Sequence, residues 1–166
     1  MNYIVLIDRL NFYDQDHDCM LSYNEFKAIL KDLQVTENKD LVSILFNACS
    51  SQDAITFNNI RLIYEASFHG LKNHTMLVLM FCGIDNDKDR KLQFDEYYRL
   101  AQILDPSVTE SGIKDQFDRL DSNQTGTVTY PQVARSLYGI RVRAKENPYK
   151  TNVYYRCPET GCCLLL

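Results

Sequence analysis

Asp14-Gln15-Asp16-His17-Asp18-Cys19-Met20-Leu21-Ser22-Tyr23-Asn24-Glu25 places three carboxylates at alternate positions, an aliphatic residue eighth and a glutamate twelfth. Carboxylates crowded in this way repel one another and are costly to keep without a counter-charge. A hard cation such as Ca²⁺ takes roughly six to eight oxygens in a flexible cage, and a stretch of this length can wrap around one. Apolar runs flank it on both sides, Tyr3 to Leu10 and Phe26 to Leu33, with roughly helical spacing. The stretch predicts a helix, a cation loop and a second helix.

The same grammar recurs in Asp85-Asn86-Asp87-Lys88-Asp89-Arg90-Lys91-Leu92-Gln93-Phe94-Asp95-Glu96. It recurs with weaker ligands in Asp121-Ser122-Asn123-Gln124-Thr125-Gly126-Thr127-Val128-Thr129-Tyr130-Pro131-Gln132. A worn copy aligns at Ala48 to Asn59 through Ile55-Thr56-Phe57. Loop starts at 14, 48, 85 and 121 are spaced by 34, 37 and 36 residues, so the chain reads as four copies of one unit.

These repeats strongly resemble the EF-hand family. The resemblance implies an all-α fold of two lobes, each a pair of helix–loop–helix hands, followed by a flexible basic tail. The boundaries are 1–69, 70–143 and 144–166. It implies that positions 1, 3, 5, 9 and 12 supply side chains and position 7 its carbonyl. The first loop then offers Asp14, Asp16, Asp18, Met20 (carbonyl), Ser22 and Glu25, and the third Asp85, Asp87, Asp89, Lys91 (carbonyl), Gln93 and Glu96. Both depart from the family pattern at position 6, where Cys19 and Arg90 replace the glycine of the sharp turn. A left-handed backbone there costs about 1–2 kcal/mol, which weakens affinity about tenfold.

The fourth loop has Gly126 in that place but offers only Asp121, Asn123, Thr125, Thr127 and Gln132, with one anionic ligand among them. It is expected to be weak or unfilled. The second, with Ala48, Ser50, Gln52 and Asn59, is expected to be silent. About two Ca²⁺ per chain follow, with Mg²⁺ as a resting occupant. In the family, paired hands join at position 8, here Leu21, Ile55, Leu92 and Val128. A single hand buries too little apolar surface to stand alone, so a worn hand still completes its partner's core.

Helical spacing assigns the inward faces. They are Leu6, Leu10 and Tyr13, then Phe26, Ile29, Leu30 and Leu33, then Leu41, Ile44 and Leu45, then Phe57, Ile60, Ile63 and Tyr64. The second half has Leu77, Phe81 and Ile84, then Phe94, Tyr97, Tyr98, Leu100 and Ile103, then Ile113, Phe117 and Leu120, then Val133, Leu137 and Ile140. Ser22 with Glu25, and Ser107 with Glu110, read as capping boxes. Gly70 predicts a break between the halves, not one continuous helix.

The net charge of −4 hides an asymmetry. Residues 135–166 carry six basic side chains against two acidic ones, for +4, and the remaining 134 residues carry 12 against 20, for −8. An acidic body with a basic tail predicts cation binding and attraction to an anionic surface. The start lacks a basic leader, Asn2 speaks against N-myristoylation, and no stretch reaches the length of a membrane span. The six cysteines show no disulfide framework, with Cys19, Cys49 and Cys82 scattered and Cys157, Cys162 and Cys163 crowded at the end, and a reducing compartment is expected.

Cys163-Leu164-Leu165-Leu166 resembles a C-terminal prenylation box, with geranylgeranyl favoured by the final Leu and with Cys162 as a palmitate acceptor. Arg141, Arg143, Lys145 and Lys150 supply the second membrane signal that a single lipid needs. Calmodulin-like plant proteins combine such hands, tail and box. The resemblance implies a monomeric, membrane-tethered Ca²⁺ sensor on the cytosolic face, exposing an apolar groove to an amphipathic helix of a target protein. A constitutive light-chain-like subunit and a Ca²⁺ buffer are the alternatives. Only four methionines are present, which implies a narrow range of partners. No nucleophile stands by His17, His69 or His74 and no phosphate cradle appears, so neither an enzyme nor a nucleic-acid binder is expected.

Overall fold

Each acidic stretch does turn one helix into the next, with a three-residue strand on its far side. The computed structural model describes residues 3–142 and residue 148. The tail from 144 onward, Pro148 apart, lies outside the described residues, and with it Cys162 and Cys163. Among the described residues the order is α1 (Tyr3–Tyr13), β1 (Met20–Ser22), α2 (Tyr23–Asp32), α3 (Lys39–Cys49), β2 (Ala54–Thr56) and α4 (Phe57–Ser67). There follow α5 (His74–Ile84), β3 (Lys91–Gln93), α6 (Phe94–Leu104), α7 (Glu110–Leu120), β4 (Thr127–Thr129) and α8 (Tyr130–Tyr138). The class is all-α, with two small antiparallel ribbons.

Those ribbons join the hands in pairs. β1 pairs with β2 so that Leu21 stands opposite Ile55, and β3 with β4 so that Leu92 stands opposite Val128. All four side chains are fully buried. The ribbon satisfies backbone groups between two loops while its middle residues plug the core below. The helical stripes also meet there: Leu6, Leu10, Phe26, Ile29, Leu30, Ile44, Leu45, Ile60 and Ile63 in the first pair, and Tyr97, Leu100, Ile113, Phe117 and Val133 in the second.

Helix starts follow their polar side chains. Asn38 accepts from the backbone N–H groups of Asp40 and Leu41, Asn73 from that of Met76 and Thr109 from that of Gly112. The expected box at Ser107 and Glu110 is not formed. Ser107 instead donates to Asp105, and Thr109 caps α7 two residues later. With Asp105 within reach, the Ser107 hydroxyl closes a local turn instead.

Between the pairs, α4 ends at Ser67 and α5 begins at His74, so the predicted break is present. Gly70 turns there with φ +72°, and the Asn73 amide holds the turn by donating to the carbonyls of Ala66 and Gly70. The linker is not the only contact between the halves. Every residue of α5 from Met76 to Ile84 is buried, including six beyond the predicted Leu77, Phe81 and Ile84. A helix that is apolar on all sides must be covered on all sides. It packs against α3 and α4 of the first half and α6 and α8 of the second. Tyr130 Oη lies 3.0 Å from His74 Nε2, and Tyr138 Oη donates to Met80 Sδ at 3.4 Å, both tying α5 to α8.

Cys49 and Cys82 are buried and in no disulfide. Burial, with Cys82 nearby, pushes the Cys49 thiol up to about 12, so it stays protonated and inert.

Candidate metal centres

In the first loop, Asp14 caps the end of α1 with its backbone N–H bonded to Leu10 O, and its side chain is 2% exposed. Two backbone N–H groups point at this carboxylate, from Asp18 at 3.2 Å and from Cys19 at 2.9 Å. They do so because His17 and Cys19 both take left-handed backbone, with φ 59° and 63°. The third loop repeats this. Asp85 is fully buried at the end of α5, Arg90 N–H donates to its Oδ2 at 3.0 Å, and Lys88 and Arg90 have φ 58° and 73°. The non-glycine residues at position 6 therefore adopt the predicted strained conformation. A second left-handed residue at position 4 of each loop was not legible in the motif.

Three carboxylates converge in each case. Asp14, Asp16 and Asp18 bring one oxygen each to within 4.8 Å of one another, as do Asp85, Asp87 and Asp89. Glu25 and Glu96 close the two loops. Glu25 accepts from Ser22 N–H at 2.9 Å and from Gln15 N–H at 3.2 Å, and Glu96 accepts from Gln93 N–H and Asn86 N–H at 3.1 Å each. One carboxylate thus joins the second residue of the loop to the ninth, with lone pairs to spare. Burial and the carboxylates of Asp85 and Asp87 outweigh those hydrogen bonds and raise the Glu96 pKa. At Glu25 burial also raises it, but the hydrogen bonds from Ser22 and Gln15 win and the pKa is lowered. Carboxylates and carbonyls alone make a hard, all-oxygen donor set, which fits Ca²⁺ or Mg²⁺ and not a soft metal.

The other two hands are closed by amides. In the fourth, Gln132 Oε1 accepts from Thr129 N–H at 2.7 Å while Nε2 donates to the carbonyl of Leu120, the last residue of α7, at 2.6 Å. Asp121 is already engaged by Thr125 N–H, Thr125 Oγ1 and Gly126 N–H, at 2.9, 2.8 and 2.6 Å. Those bonds outweigh burial and lower its pKa. Thr125 Oγ1 also lies 3.3 Å from Thr127 O, and Asn123 is exposed.

In the second hand, Asn59 Nδ2 donates to the carbonyl of Cys49, the last residue of α3, at 3.0 Å. Here the expected alignment needs correction. Helix α3 runs through Ala48 and Cys49, leaving only residues 50–53 before β2, against six residues in each other loop. Gln52 and Asp53, both left-handed, make a two-residue hairpin turn, with Ser51 N–H bonded to Ala54 O at 2.8 Å. There is no cage in which Ala48, Ser50 and Gln52 could stand as ligands.

No protein-family model and no curated protein sequence matches this chain. Solved structures do. The PP2A PR70 holoenzyme structure is similar over 80% of this chain at 16% identity and a TM-score of 0.51. The match spans about half, 52%, of that holoenzyme chain. The fold is that of paired EF-hands. Weaker likenesses are to a homolog of programmed cell death 6 protein from Leishmania major Friedlin (14% identity, TM-score 0.33, 78% of this chain and 69% of that one) and to the photoprotein berovin from Beroe abyssicola in its Ca²⁺-loaded apoprotein conformation (13%, 0.31, 82% and 86%).

Proposed function

We propose that this protein is a Ca²⁺-binding regulator with two cation sites, one in each pair of hands. The observation that carries this reading is the convergence of Asp14, Asp16 and Asp18, and of Asp85, Asp87 and Asp89, in loops closed by Glu25 and Glu96. Asp14, Asp16, Asp18, Met20, Ser22 and Glu25 would hold one ion, and Asp85, Asp87, Asp89, Lys91, Gln93 and Glu96 the other. A bound cation would supply the positive charge that these clustered carboxylates lack. Residues 1–69 and 70–143 form the two paired units, and 144–166 the tail. Mg²⁺ fills the same loops at rest.

The regulated partner is a protein presenting an amphipathic helix to an apolar groove that Ca²⁺ uncovers. Prenylation at Cys163, with palmitate at Cys162 and the basic tail, holds the monomer on the cytosolic face of a membrane. No catalytic step and no nucleic acid are involved. Among the described residues no helix is long and apolar enough to cross a membrane.

The amides at Asn59 and Gln132 favour a second reading, a constitutive light-chain-like subunit, because they close their hands without a cation. Calorimetry of the intact chain with CaCl₂ tests the main proposal. Two binding events are expected in the native protein, one in Asp14→Ala and one in Asp85→Ala. A native titration without heat rejects it. Fractionation of cells expressing the native chain or Cys163→Ser tests the tether, which fails if both distribute alike.

A further inference from the structure

Helix α5 does two things at once. Its C-terminal end is the start of the third loop: Asp85 caps it through its N–H to Phe81 O at 3.0 Å, and Lys88 Nζ donates to Cys82 O at 2.7 Å. Two residues earlier it meets the first half of the molecule at backbone distance. A Cβ placed on Gly83 would overlap the carbonyl oxygen of Ile44 in α3 and lie 2.8 Å from its carbonyl carbon. Only glycine permits this crossing. The apolar face of α3, with Leu41, Val42, Ile44 and Leu45 all buried, is thereby covered from within. Beside the crossing, Arg99 of α6 lies 3.5 Å from Asp40 of α3, a partly exposed ion pair across the two halves.

We propose that α5 is the resident occupant of the α3 face, and that cation capture at the third loop releases it by parting the halves at the Gly83–Ile44 crossing. This rests on the Ca²⁺ reading above and names the surface that the signal uncovers. The reason is geometric. Consecutive residues on a helix are about 100° apart, so rotating α5 presents Cys82 or Ile84 to Ile44 in place of Gly83. The gap admits neither side chain. A backbone-close crossing tolerates almost no rotation, so helix reorientation at the third loop and docking onto α3 compete. Met76 and Met80, fully buried on α5, then become part of what is exposed, which gives the surface its adaptable contacts.

Hydrogen–deuterium exchange of the intact chain, run beside calorimetry with CaCl₂, tests this. In the native protein, Ca²⁺ is expected to speed exchange of the α3 amides from Leu41 to Cys49 at least about fivefold. Glu96→Gln is expected to abolish that response and Glu25→Gln to leave it. Heat at the third loop with α3 exchange unchanged or slowed overturns the proposal while leaving Ca²⁺ binding intact. Absence of heat overturns both. Without Ca²⁺, Gly83→Ala is expected to speed exchange in α3 and α5 together, although alanine is the better helix former. A Gly83→Ala protein with exchange as slow as native in both helices overturns the docking half. If that variant does not fold, the native Ca²⁺ response decides alone.

Discussion

The first and third hands differ from the second and fourth at one residue above all, the twelfth of the loop. Glu25 and Glu96 can only accept hydrogen bonds, so they gather N–H groups from the second and ninth positions and keep lone pairs for an ion. Asn59 and Gln132 can also donate, and each spends that donor on the carbonyl that ends the incoming helix. That carbonyl is one of the orphans at a helix C-terminus, so the amide repairs a helix end while strapping the hand shut. Both devices hold the outgoing helix to the loop. One does it with room for a cation, the other in place of it. Each ribbon thus couples a hand closed by an amide to a hand closed by a carboxylate.

The comparison breaks first at the glutamates. Glu96→Gln should weaken Ca²⁺ at the third loop by about 100-fold, from the loss of charge-assisted contacts. Calorimetry should show one binding event lost and the first loop unchanged. If both events persist at native affinity, position 12 is not what separates the two kinds of hand. Next comes the strained turn. Arg90→Gly removes the side chain from a residue at φ 73° and should tighten the third loop about tenfold, the equivalent of the 1–2 kcal/mol cost of a left-handed residue. An unchanged affinity would mean that the rest of the loop already absorbs that strain.

A smaller effect is expected at the straps. Gln132→Ala should lower stability to urea by about 1 kcal/mol, with Ca²⁺ affinity at the third loop moving by less than about threefold. Stability equal to native would show that the amide strap does nothing. The smallest effect separates the two responsive hands from each other. With the Glu96 pKa raised and that of Glu25 lowered, protons compete earlier at the third loop. As the pH falls toward the ordinary glutamate range near about 4.3, that loop should release Ca²⁺ before the first. Simultaneous release in a pH titration followed by calorimetry would count against the difference.

The converging aspartates, the Leu21, Ile55, Leu92 and Val128 seam and most inward stripes were readable because they are local. A cation loop needs its oxygens at fixed spacings, and a helix shows its buried face every third or fourth residue. The second loop misled for a related reason. Ile55-Thr56-Phe57 marks the strand and the outgoing helix but carries no record of how many residues precede it, and the turn at Gln52 and Asp53 is shorter than the repeat implies. At α5 a local signal existed and was underused, since Met76-Leu77-Val78-Leu79-Met80-Phe81-Cys82-Gly83-Ile84 is apolar on every side.

The amino-acid sequence alone determined where carboxylates gather and which loops lack them, because that is written in the order of side chains along twelve residues. Tertiary structure alone decided that Asn59 and Gln132 are straps and that α5 lies against α3 at Gly83. The straps depend on how a loop folds back on the helix before it, and the crossing on Gly83 and Ile44, distant in the chain, meeting at backbone distance. Packing, and not the order of side chains along a loop, sets which of these groups meet.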